Sequence, residues 1–139
     1  SGYCWKAFMI FGKKGIGENV TGEALVANDN FSARYDLDRE KGVFSRKLHK
    51  LYNQSYVDKI LVLNSAKGGV ATSWMLRNMK LNNKSPKALI LNSTNPIMVQ
   101  AVAFADITLI HNFDTDITSY FKTGDILNIN PYKACVYKI

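Results

Sequence analysis

Cysteine and histidine are scarce in this chain, with two of each in 139 residues. Cys4 and Cys135 stand near opposite ends, neither lies in a CxxC pair, and no second thiol or imidazole falls at metal-ligand spacing from either. This excludes a zinc ribbon and a disulfide framework: both thiols read as buried and free. His49 and His111 are equally isolated, so the chain by itself supplies no metal site and no cofactor. Proline is also rare, at three residues, and there are no repeats, low-complexity tracts or Pro/Ser-rich linkers. Residues 1–139 therefore read as one domain, as the length allows. No apolar run approaches the roughly 20 residues needed to span a bilayer. Residues 1–11 are apolar enough to raise the question of a signal peptide. They lack a basic start and a small-residue cleavage site, and Lys6 interrupts them, so they read as a first strand of a cytoplasmic protein without a membrane partner. Acidic residues are outnumbered, eleven against eighteen Lys and Arg, for a net charge of +7. The cations are scattered except in residues 39–50, which hold Arg39, Lys41, Arg46, Lys47, His49 and Lys50. No aromatic-interleaved RNA motif or helix-turn-helix accompanies them, so no nucleic-acid partner is expected. A solvated basic loop and a loop facing an anion or a subunit both remain open.

What is present is a change of character half-way along. Residues 3–11 are apolar and aromatic and are expected to form a strand broken by Gly12, Gly15 and Gly17. TGEALVA at 21–27 reads as a second strand. Residues 28–56 are polar and irregular, with a short strand at 42–45; a connection this long is expected to be functional or held by a partner. KILVL at 59–63 and KALIL at 87–91 are continuous apolar runs of strand length, the pattern of strands buried on both faces. Between them lie a small-residue turn, 64–69, and a helix over 70–82 in which Ala71, Met75 and Met79 recur at four-residue spacing, with Thr72 and Leu76 beside them. Asn95 is placed to cap a second helix with Pro96 at its first position, and residues 97–105 are apolar nearly all round, so that helix should be buried. A third strand at 107–110, a helical turn at 116–121, a tight turn at Gly124-Asp125 and two strands broken at Asn130-Pro131 complete the chain. Strand–helix–strand–helix–strand implies right-handed crossovers in a small parallel sheet. With the strands at both ends, the expectation is an α/β fold of β/β/α layers, a small parallel sheet with helices plus a β-barrel-like layer.

Chemistry is best supported at residues 63–72. A buried strand running into a Gly-rich turn that opens a helix aims several N–H groups at one spot, and the positive end of the helix dipole favours an anion there. Lys67 adds a charge, and Ser65, Thr72 and Ser73 add hydroxyls. The spacing is neither GxxxxGK[ST] nor GxGxxG, so a plain βα connection and an anion or carboxylate site both stay open. Asn92, Ser93, Thr94 and Asn95 follow the second parallel strand, and His111, Asn112 and Asp114 the third, at the edge where ligands gather in open α/β sheets. No paired carboxylate, Cys/His couple or Ser/His/Asp set is visible.

TGEALVA at 21–27, KILVLNSAKGGVATSWML at 59–76, PKALILNSTNPIM at 86–98 and FKTGD at 121–125, in this order, resemble the swivel domain of aconitase X proteins, over most of the chain. The resemblance implies a swivelling β/β/α domain, either a small subunit or part of a fused enzyme. A large aconitase X partner would carry an iron or iron–sulfur centre, and the swivel domain would close the site over a small carboxylate substrate. Members dehydrate mevalonate 5-phosphate or cis-3-hydroxy-L-proline. On this likeness Ser65, Lys67, Gly68 and Gly69 are expected to bind substrate. In the phosphomevalonate branch the turn reads approximately G-[KR]-G-S and its serine is the proposed base; Gly69 stands at that place here, which leaves Thr72 and Ser73 as the catalytic candidates. The GGVAT wording is more like the hydroxyproline branch, whereas a separate small chain is the habit of the phosphomevalonate branch. Loss of catalysis, leaving a binding or regulatory domain, is the alternative.

Overall fold

A computed structural model describes residues 9–139. Its spine is three parallel strands, β6 (Ile60–Ala66), β7 (Ala88–Ser93) and β8 (Thr108–Phe113), in register at Ile60↔Ala88 and Leu89↔Leu109. Their continuous apolar character has a direct cause: alternate side chains enter two different cores. Leu61, Leu63, Leu89, Leu91 and Leu109 pack under the helices. Ile60, Val62, Ala88, Ile90 and Ile110 face a second core inside a barrel.

That barrel is closed by β1 (Met9–Ile16), β2 (Val20–Val26), β9 (Ile126–Asn130) and β10 (Cys135–Lys138). β2 pairs antiparallel with β9 and parallel with β6, so the order β2-β9-β10-β1-β8-β7-β6 returns on itself. Leu127, Ile129 and Val136 fill the interior, with α3 (Ile117–Tyr120) contributing Ile117. The expected parallel sheet and barrel-like layer are thus one seven-stranded ring, clothed by helices on one side. In place of a break at Gly12 and Gly15, β1 continues to Ile16 and ends at Gly17, whose φ is +98°. The reason is space. A Cβ on Gly12 would lie 2.6 Å from Ile110 Cγ2, and one on Gly15 would collide with the Pro131 backbone, where β1 leaves β10 to pair with β8. Residues 3–8 of the expected first strand, and Cys4, lie outside the described residues; Cys135 is buried and free.

Two helices cover the outer face of the spine, α1 (Val70–Leu81) and α2 (Pro96–Phe104). Of the residues marked by the spacing, α1 buries Thr72, Leu76 and Met79, while Ala71 is exposed and Met75 only partly buried. Thr72 is drawn inward because Gly68 leaves room for it. α2 buries only Met98, Ala101 and Val102, while Ile97 and Phe104 stay about half exposed, so the expectation of burial all round is corrected. Its outer side faces solvent; Trp74 of α1 meets Phe104 edge-on there, with ring centroids 5.0 Å apart.

The long segment 28–56 is not a loose connection. It forms β3 (Asn30–Phe31), β4 (Leu37–Asp38) and β5 (Val43–Phe44), and β5 is the strand expected at 42–45. Phe31, Leu37, Phe44 and Leu51 from this segment, with Tyr56 at its end, are buried in the helix-side core. They are unevenly spaced, so no helical or strand period exposes them in the sequence. The Tyr56 hydroxyl is buried without a hydrogen-bond partner, and burial pushes the phenol from 10.0 up to about 12. A raised folded value means that stability is fully present below pH 10 and is lost as pH rises towards about 12. Tyr56→Phe is expected to flatten this alkaline limb in urea melts taken across pH 9–12, with neutral stability unchanged or higher by up to about 1 kcal/mol. An unaltered alkaline limb would refute the assignment.

Candidate functional site

The carboxyl ends of β6, β7 and β8 lie side by side, and β6 runs directly through the turn at 67–69 into α1. Gly69 is the N-cap residue (φ −103°, ψ −164°), with no side chain to cap the helix and no acidic residue in the first turn. Thr72 N–H donates to Gly69 O at 3.1 Å, and the Val70 and Ala71 N–H groups are left for a ligand or solvent, at the positive end of the helix. Lys67 N–H donates to Phe31 O at 3.0 Å, which ties the turn to β3. A Cβ on Gly68 would run into the Thr72 hydroxyl, whereas Gly69 has nothing within 4 Å of that position.

An open cleft of about 510 Å³ separates this turn from the strap that follows β3. Lys67, Gly68, Gly69 and Thr72 form one wall; Ser32, Arg34 and Tyr35 form the other. Its lining holds two cations and no carboxylate. The Arg34 guanidinium lies 5.4 Å from the centre of the Tyr35 ring.

Four of the residues singled out from the sequence thus come together: Lys67, Gly68, Gly69 and Thr72. Ser65 sits beneath the turn, its Oγ donating to Asn30 Oδ1 at 2.7 Å. Ser73 is partly buried on α1 and does not line the cleft. Asn95 caps α2 by accepting from Met98 N–H at 2.8 Å, with Pro96 at the first position as expected. His111 and Asn112 border a separate hollow with Lys14, Thr94 and Asn95. Asp114 pairs with Lys13 at 3.5 Å on the exposed surface.

Under the turn runs a ladder of amides across the strand ends. Asn64 Nδ2 donates to Asn30 Oδ1 at 3.3 Å, and Asn92 Nδ2 donates to Asn64 Oδ1 at 3.2 Å and Asp116 Oδ1 at 2.8 Å. Asn92 Oδ1 in turn accepts Ile117 N–H at 2.8 Å. The bonds from Asn92 and Thr118 hold the Asp116 carboxyl below the ordinary value for aspartate.

The basic stretch at 39–50 divides. Arg46 Nε donates to Asp36 Oδ1 at 2.6 Å, a bond that raises the arginine further, and the other Asp36 oxygen accepts Ser32 N–H at 2.9 Å. His49 is buried beside this pair, while Lys41, Lys47 and Lys50 face solvent. Ser32, Arg34, Tyr35 and the bracing Asn30 are the site residues that sequence reasoning missed. They lie some thirty residues before the turn, and only the β3–β6 pairing brings them to it.

Among the described residues no group of three or more His, Cys, Asp or Glu is placed to hold a metal ion. The cleft walls carry no imidazole, thiol or carboxylate, so this cleft offers no such ligand to an iron or iron–sulfur centre. No described helix is long and apolar enough to cross a membrane.

Residues 9–137 match the family model described as the aconitase X swivel domain. The chain is 34% identical over 122 residues to the phosphomevalonate dehydratase small subunit of Pyrococcus horikoshii, covering 87% of this chain and 89% of that one. It is 32% identical over 117 residues to the protein of that name from Methanococcoides burtonii, covering 84% and 83%. Among solved structures, the crystal structure of Thermococcus kodakaraensis aconitase X in its holo form superposes with a TM-score of 0.85 at 27% identity, over 94% of this chain and 98% of that one.

Proposed function

The chain belongs to the aconitase X swivel-domain family, and on that premise we propose that it is the small subunit of a cytoplasmic hydro-lyase that dehydrates mevalonate 5-phosphate. Its large partner would hold the iron or iron–sulfur centre, and this chain would close the cleft over the substrate. The observation that carries the reading is the cleft itself: two cations and an uncapped helix start, with no opposing carboxylate. That arrangement suits an anionic phosphate or carboxylate group.

Lys67, Arg34 and the N–H groups from Gly68 onward would bind and orient that group, with Ser65 and Asn30 holding the turn from below. Ser32, Tyr35 and Thr72 bring hydroxyls to the cleft lining; Thr72 is the one on the wall of the turn, and we assign it the proton taken from the carbon next to the leaving hydroxyl. Thr72 would act as its alkoxide, its hydroxyl proton having passed to water in the open cleft and being regained from the substrate carbon, and the helix start and Lys67 favour that negative charge. Iron on the partner would assist departure of the hydroxyl as a Lewis acid. The test mixes this chain with its large partner and follows loss of water from mevalonate 5-phosphate and from cis-3-hydroxy-L-proline. Turnover of the first by the mixture, with none by this chain alone, is expected; a formed complex that turns over neither substrate overturns the reading.

Gly69 favours a second reading, a swivel domain that binds but no longer takes part in proton transfer. Thr72→Val separates the two: catalysis predicts a fall of about 100-fold or more in kcat, and binding alone predicts no change. Ser73→Ala, one position away and off the cleft, serves as its comparison. The open space at Gly69 adds a further expectation. Gly69→Ser should fold, gain a few tenths of a kcal/mol of helix capping, and raise turnover of mevalonate 5-phosphate in the mixture. A destabilised variant would show that the turn is tighter than its geometry.

A further inference from the structure

β3 is two residues long and sits on the edge of the sheet, paired only with β6, yet it carries the strap that forms one wall of the cleft. A strand this short has little to hold it. Its outer side meets side chains in place of a strand: Asp29 Oδ1 accepts Asn30 N–H at 2.8 Å, and a buried imidazole holds the carbonyl. His49 Nε2 donates to Asn30 O at 2.7 Å, so the imidazole takes the place of a next strand. Leu51 N–H donates to Nδ1 at 3.0 Å, which fixes the tautomer with hydrogen on Nε2. The ring lies flat on Phe44, with centroids 4.5 Å apart and planes inclined by 24°, and its side chain is fully buried.

On the inner side the same Asn30 accepts from Ser65 Oγ and Asn64 Nδ2, and Phe31 O accepts from Lys67 N–H. One continuous path of hydrogen bonds therefore runs from His49 through Asn30 and Phe31 to the start of the Lys67 turn. Two carboxylates close the strap around the ring. Asp29 Oδ2 lies 3.8 Å and Asp36 Oδ2 3.9 Å from Nε2, each oriented by backbone N–H groups, Asp29 by Lys50 and Asn30 and Asp36 by Ser32.

We infer that His49 is a positioning residue for the reaction: by pinning the outer side of β3 it sets the separation of the Arg34 wall from the Lys67 turn. This deepens the hydro-lyase reading and rests on it for its kinetic arm, while its structural arm stands alone. His49→Leu keeps most of the apolar volume and loses the donor; His49→Gln keeps an N–H at a similar reach. In the chain mixed with its large partner, His49→Leu is expected to lower kcat by about 10-fold or more with little change in complex formation, and His49→Gln to restore most of it.

In the chain alone, amide exchange at Lys67 is expected to accelerate about 10-fold or more in His49→Leu relative to amides of β7, and much less in His49→Gln. His49→Phe, which keeps an aromatic ring on Phe44 and loses the donor, covers the case of a Leu variant that does not fold. It should reproduce the faster Lys67 exchange and the loss of kcat. Equal behaviour of the Leu and Gln variants, or unchanged Lys67 exchange in His49→Phe, overturns the inference. An inactive wild-type mixture with the exchange differences intact would instead count against the hydro-lyase reading alone.

Discussion

Gly68→Ala is expected to lower kcat/KM of the assembled enzyme by on the order of 100-fold, while Gly69→Ala changes it far less. The two glycines are neighbours, so the contrast isolates geometry from composition. An added Cβ on Gly68 would strike the Thr72 hydroxyl and lie 2.9 Å from Thr72 Cβ, whereas on Gly69 it would meet nothing within 4 Å. Thr72 is held by the first turn of α1 and by its burial under the helix, so relief must come from the turn opening. Opening moves the Lys67 and Gly69 N–H groups relative to the Arg34 wall, and a shift of about 1 Å is enough for a loss of that size. The accompanying loss of stability should be about 1–3 kcal/mol. Steady-state kinetics of the reconstituted mixture, with thermal melts of each variant, provides the check. Wild-type kinetics from Gly68→Ala would remove the turn from the site.

Phe44→Ala should destabilise the chain by about 3–5 kcal/mol and lower its melting temperature by roughly 10–17 °C. Phe44 is wholly buried, stacks on His49 and meets Tyr56 edge-on at 5.9 Å. Truncation leaves a cavity bounded by two rings and the β4–β5 hairpin, which has little freedom to collapse. Tyr52, in the same segment but substantially exposed, is the comparison: Tyr52→Ala should stay within about 0.5 kcal/mol. Equal small effects would mean that 28–56 is a loop after all. Chemical denaturation followed by far-UV circular dichroism distinguishes the outcomes.

Those two variants fall on either side of what is readable in the sequence: the turn at Gly68 is legible there, and the burial of Phe44 is not. The runs at 59–63 and 87–91 announce strands buried on both faces because every residue after the leading lysine is apolar, and the structure assigns alternate residues to separate cores. Asn95-Pro96 announces its helix by capping chemistry that is local. The turn at Lys67 is legible for the same reason, since strand, glycines and helix follow one another without interruption. Local pattern fails where the deciding contact is distant. Gly12 and Gly15 look like breakers until Ile110 and Pro131 are seen pressed against them. Arg34 and Tyr35 look like solvated loop residues until β3 is paired with β6. The roll of α1 that buries Thr72 in place of Ala71 depends on Gly68, four residues back.

β1 has a consequence of a mechanical kind. Its first residues, Met9–Phe11, are laddered to β10 and its later ones, Gly12–Ile16, to β8, so one strand is riveted to both halves of the ring. β2 does the same on the opposite side, between β9 and β6. With two such rivets the shelf that carries Lys67 cannot tilt against the rest without shearing a ladder. Any swing that delivers the cleft to a partner therefore moves the whole ring as one stiff lever, and its pivot belongs outside the ring.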